Sequence, residues 1–145
     1  MTLTTLPVTP VHLFFVLFSF FWIIRSDWYG LQWIRGKRTL LEREKLDIFH
    51  KCVWMGLVGI IATGSVLIAQ RIKLLGDFFF WFKMFFVGAL LINSFFINKE
   101  MILASTTPFA QLSKKRKALV FLVGSISTIS WISAFILGEV LAELR

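Results

Sequence analysis

Four stretches of the chain, residues 8–24, 52–70, 78–98 and 118–138, are long, apolar and almost free of charge, the third interrupted only by Lys83. Each is near the ~20 residues with which a helix, rising 1.5 Å per residue, crosses ~30 Å of hydrocarbon. Hydrocarbon supplies no hydrogen-bond partner, so a spanning segment must satisfy its own backbone, as a helix or within a closed barrel. Runs of this length without alternation specify helix. An apolar fraction of 57% and a mean hydropathy of +0.78 exceed the roughly 45–50% apolar content of a soluble domain. The expected fold is all-α: an integral membrane, antiparallel four-helix transmembrane bundle. The 145 residues leave room for one such domain.

Basic residues near the ends of the runs predict how the bundle is oriented. Arg25, Arg35, Lys37, Arg38, Arg43, Lys45 and Lys51 fall between the first two runs, and Lys99, Lys114, Lys115, Arg116 and Lys117 between the last two. The opposite side carries Arg71, Lys73 and Arg145. Positive charge stays cytoplasmic, so both termini are expected outside, in a multi-pass protein of the inner (plasma) membrane. The net charge of +8 is thereby accounted for by topology, which excludes nucleic acid as a partner. The bilayer itself is the expected partner, with anionic lipid drawn to Lys114–Lys117. No basic residue precedes the first run and no small-residue cleavage site follows it, so it is expected to persist rather than be removed as a signal peptide. The single cysteine, Cys52, allows no internal disulfide and reads as a small packing residue.

Along the chain, helices are expected over about 8–34, 40–70, 78–104 and 114–140. Thr39-Leu40-Leu41-Glu42 has the form of a capping box, which would start the second helix at about Leu40. Gly36-Lys37 is the expected turn, Pro108 ends the third helix, and Ser113 caps the fourth. In the first antiparallel pair, residues whose numbers add to about 75 should lie at similar depth. Small residues mark packing seams: Gly56, Gly59 and Thr63 on helix 2, and Gly124, Ser127, Ser130, Ala134 and Gly138 on helix 4. Trp22, Trp28 and Trp54 at one boundary and Trp81 at the other read as interfacial anchors.

The depth rule sets Arg25 level with His50 and Asp27 within about one turn, which makes this the most suggestive polar cluster. With Asp47 and Glu100 at the same boundary, it could be a metal site of imidazole and carboxylates, a proton-sensitive pair, or an ion-pair network neutralised by Arg25, Lys51 and Lys99. Histidine is also the usual axial ligand of membrane haem b. His12 and His50 differ in depth by about 13 residues, or ~20 Å, and cannot share one haem within a monomer. His12 could instead pair with Met84 on the third helix. Lys83 is expected to snorkel to the outer surface, and Asn93 to bond to a neighbouring helix.

Asp27, Gly30, Trp33 and Gly36, then His50, Trp54-Met55-Gly56-Leu57 and Thr63-Gly64, then Lys83, Asn93 and Ser127-Thr128-Ile129-Ser130-Trp131 form a pattern spanning most of the chain. It resembles uncharacterised bacterial four-helix integral membrane proteins, themselves distantly similar to the copper-resistance protein D and b-type cytochrome membrane families. The cytochromes carry paired histidines at matched depth, which His12 and His50 do not provide. Methionine and cysteine copper ligands are not clustered either. The expected role is therefore non-enzymatic: a helix-packing subunit of a larger membrane complex, or a homo-oligomer. The alternatives are a haem- or metal-binding membrane module using His50, Asp27 or His12, and a minimal transporter or channel formed between protomers.

Overall fold

In a computed structural model that describes residues 8–143, the chain is four helices joined by three short connections. They are α1 (Val8–Ile34), α2 (Arg43–Gln70), α3 (Phe78–Thr106) and α4 (Lys114–Glu143). All four are long and apolar enough to cross a membrane, which makes this a multi-pass membrane protein. Their flanks are covered with exposed Phe, Leu, Ile and Val, the surface a helix bundle presents to lipid. Arg145 lies outside the described residues. The end of the bundle formed by connections 35–42 and 107–113 is called here the basic end, and the one formed by connection 71–77 the far end.

The turns follow local chemistry. Gly36 adopts φ +71°, a conformation that disfavours a side chain, and reverses the chain after α1. At the far end, a short 3-10 helix (Ile72–Gly76) leads into Asp77, whose carboxylate accepts the Phe79 N–H at 2.7 Å and caps α3. Pro108 follows the last turn of α3, and the Ser113 hydroxyl accepts the Arg116 N–H at 3.3 Å at the start of α4. The capping box does not form, and α2 begins at Arg43 rather than Leu40. A tertiary partner takes the Glu42 amide that the box would have served, its N–H donating to Tyr29 Oη (3.1 Å), and the neighbouring Leu41 N–H donates to the Ala104 carbonyl (3.0 Å).

The helices form two tight hairpins, α1–α2 and α3–α4. In the first, close approach rests on absent side chains: a Cβ at Gly56 would collide with Ser19 Oγ, and one at Gly59 with the Phe15 ring. His12 meets Thr63 and Ser19 meets Gly56, so facing residue numbers add to 75, as the depth rule requires. In the second hairpin, Ser127, Ser130 and Ala134 of α4 are buried, and Asn93 Nδ2 donates to the Val123 carbonyl at 3.0 Å. Gly124, expected on the same seam, is exposed and a Cβ there would meet nothing within 4 Å.

The hairpins are fastened to each other chiefly at the basic end. Tyr29, Trp33, Leu41, Leu46, Met101, Ala104 and Leu112 form a buried cluster there, drawing on both hairpins. Two carbonyls at the C-terminus of α3, which a helix end leaves without partners, are taken by the first hairpin: Ala104 O by Leu41 N–H, and Thr107 O by Trp33 Nε1–H at 3.1 Å. Nearer mid-depth, a second cluster of Ile23, Leu57, Leu90 and Trp131 bridges the hairpins.

Candidate functional site

Between these clusters the hairpins part around a cavity of about 620 Å³. Its walls are largely apolar and aromatic, with Trp33, Trp54, Trp131, Phe49 and Phe121 prominent. Its polar lining comes from all four helices: Ser26 and Asp27 of α1, His50 of α2, Ser94 and Glu100 of α3, and Ser125, Ser127 and Thr128 of α4. The cavity lining thus includes Asp27 and His50, which the depth rule sets within about one turn of each other, and Glu100, expected at the same boundary.

The ionisable groups of the lining differ in how firmly they are held. The Thr128 hydroxyl lies 3.5 Å from Asp27 Oδ2 and 3.1 Å from the Gly124 carbonyl, and its one proton goes to the nearer acceptor, so Asp27 has a long contact at best. Asp27 is exposed and stands at the cavity's open side. Trp54 Nε1–H donates to His50 Nε2 at 3.0 Å, which places the proton of a neutral His50 on Nδ1. Trp54 is therefore a fixing contact for His50 as well as an aromatic at the boundary. Arg116 Nη2 reaches Glu100 Oε1 at 3.5 Å, while Glu100 Oε2 is buried with no partner.

The cations expected to neutralise this boundary are not the ones that do. Among the described residues, Arg43 pairs with Asp47 at 3.1 Å, Lys45 and Arg38 with Glu42 at 2.8 and 3.5 Å, and Arg116 with Glu100, whereas Arg25, Lys51 and Lys99 form no ion pair. Asp47, engaged one turn back along its own helix, does not line the cavity. No group of three or more His, Cys, Asp or Glu side chains able to hold a metal ion occurs among the described residues.

His12 sits apart. Its Nδ1 is 2.7 Å from Thr63 Oγ1, and the Thr63 hydroxyl proton is directed at the Gly59 carbonyl 2.6 Å away, so His12 donates from Nδ1, which in a neutral imidazole leaves Nε2 as the acceptor. Thr63 is thirteen residues along α2 from His50, ~20 Å by helical rise. The two imidazoles do not fit a shared haem, and His50 Nε2, the nitrogen an iron would take, already accepts the Trp54 indole. Lys83 Nζ reaches Gly138 of α4, 3.1 Å from where a Cβ would stand. By the register that Asn93 and Val123 set, that is about five residues, or ~7 Å, beyond Lys83's own level towards the far end, the direction snorkelling requires.

The sequence sets Asp27, His50 and Glu100 at one boundary and offers Ser127 as a packing residue that could also line a polar path, but it gives no sign of Ser94 or Thr128 as their companions. The i, i+4 spacing of His50 and Trp54 was the one local signal of a fixed imidazole. No protein-family model, curated protein or solved structure matches this chain.

Proposed function

We propose that the chain is a non-enzymatic protein of the inner (plasma) membrane whose working part is the cavity between its hairpins, where it holds one small amphiphilic molecule. The single observation carrying this is a cavity of about 620 Å³ with mainly apolar walls and a few convergent polar groups, which falls in the ~300–1,000 Å³ range typical of small-molecule sites. The ligand's apolar body lies against Trp54, Trp131 and Phe121, and its polar end meets Asp27, His50 and Glu100 near the basic end. That end faces the cytoplasm, with both termini outside, because the basic residues are concentrated there.

Native mass spectrometry of the detergent-solubilised chain tests the reading. Wild type should retain one small molecule per cavity. Gly124→Phe should not, because a side chain at this cavity-lining position enters open space without disturbing a helix contact. Wild type emerging bare under the same activation would overturn the proposal. A Soret band lost in His50→Ala would replace the amphiphile with haem b.

The open side of the cavity favours a second reading. Asp27, Gly124, Ser125 and Thr128 are polar or small residues exposed there, at a level where a bundle otherwise presents hydrocarbon side chains. A second copy of the chain, or another subunit of a larger complex, completes that wall. The same mass spectra report it as a dimer or higher homo-oligomer, or as a mass increment of protein size.

A further inference from the structure

From the charge of the lining we infer that the cavity takes a lipophilic organic cation: an ammonium- or phosphonium-like centre carried on an apolar body. This rests on the amphiphile-binding reading above and adds the sign of the ligand's charge. In a chain of net charge +8, the cavity has no lysine or arginine among its described lining residues, and its only ionisable side chains are Asp27, Glu100 and His50. Both formal charges that can face a ligand there are therefore negative.

Two further observations point the same way. Glu100 Oε2 is buried with no partner while its side chain is only 13% exposed, so one carboxylate oxygen retains its capacity to accept from, or attract, an incoming group. Arg116 pairs with the other oxygen, at 3.5 Å, from outside the cavity lining, a long hydrogen bond that leaves Oε2 unengaged. The walls complete the match: Trp33, Trp54 and Trp131 present indoles, whose faces attract cations most strongly of the aromatic side chains, and this attraction grows where water is excluded. An anion would meet two carboxylates. A neutral molecule without a donor would leave Glu100 Oε2 unpartnered, since Arg116 reaches only Oε1.

Isothermal titration of the purified chain in dodecyl maltoside, with tetraphenylphosphonium as the cation and triphenylphosphine oxide as an uncharged relative, decides the matter. The cation should bind saturably, one per cavity, about tenfold or more tighter than the oxide, as expected for a charge-assisted contact. That preference should fall by about tenfold in Glu100→Gln and also in Asp27→Asn. The second variant guards against a folding defect in the first, and unchanged thermal unfolding qualifies either one. Equal binding of the two probes, or cation binding indifferent to both variants, overturns the cation assignment and leaves the amphiphile cavity standing. If neither probe binds and wild type also emerges bare in native mass spectrometry, both readings fall.

Discussion

The seam inside the first hairpin and the gap between the hairpins are built from similar residues to opposite effect. Glycine and small hydroxyl side chains line both. In the seam, Gly56 and Gly59 admit Ser19 and Phe15 so closely that a single methyl group would collide. In the gap, Gly124 faces open space and Thr128 and Ser127 line a cavity. What separates the two is the presence of a facing backbone. Connection 35–42 is short, so it forces α1 and α2 together along their length. Connection 71–77, which joins the hairpins, is as short, yet the hairpins meet in two buried clusters with the cavity between these, and are pinned by hydrogen bonds at the basic end. Small residues thus permit close approach without compelling it, and where nothing compels it they leave room.

The most severe test of that contrast is a matched pair of glycine replacements. Gly56→Leu should force α1 and α2 apart, costing about 1–3 kcal/mol or more through overpacking. Gly124→Ala should stay within about 0.5 kcal/mol of wild type, as alanine favours the helix and meets nothing. Thermal unfolding in detergent compares them, and equal losses would dissolve the distinction between seam and gap.

Next in size is the fastening itself. Trp33→Phe removes the donor to the Thr107 carbonyl and leaves a half-buried acceptor short, a loss of about 1 kcal/mol. Its particular mark is where the protein loosens. Hydrogen exchange should quicken at Leu41, whose amide bonds the neighbouring Ala104 carbonyl, and stay slow along the α1–α2 seam. Asn93→Leu should be smaller still, about 0.6 and at most ~1.7 kcal/mol, the range for hydrogen bonds between membrane helices. Because Asn93 does not line the cavity, ligand retention should be unaffected.

How far the sequence reached divides along the same line. Helix number, near-exact helix bounds, the Gly36 turn, the Ser113 cap and the register of α1 on α2 depend on length, local chemistry and a short connection, and all could be read from one dimension. The start of α2 could not, because Tyr29 and Ala104 supplied partners from elsewhere and displaced a local cap. Asp27, His50 and Glu100 were placed at a common depth because depth follows from counting residues. Their serine and threonine neighbours on α3 and α4 were not, since how far two hairpins stand apart, and which faces they turn to each other, is set by contacts such as Trp33 to Thr107 that no periodicity encodes.

The smallest effect belongs to the exposed charges of the basic end, which lie wholly within the first hairpin and sharpen the comparison by showing how little surface pairs add to its buried contacts. Glu42 accepts from Lys45 at 2.8 Å and lies 3.5 Å from Arg38, and the Lys45 hydrogen bond holds its carboxyl below the ordinary glutamate range, opposed by slight desolvation and helped by the charges of Lys45 and Arg38. A depressed carboxylate stabilises the fold at pH above its unfolded value of about 4.3, and that stability disappears as pH falls through the lower folded value. The group is fully exposed, so solvent and salt screen the pair. Glu42→Gln should consequently leave thermal unfolding at neutral pH almost unchanged. Any small deficit against wild type should shrink on acidification to about pH 3 and vanish in high salt. A large, salt-resistant loss would mean that this surface network, as well as the buried Trp33 and Leu41 contacts, holds connection 35–42 in place.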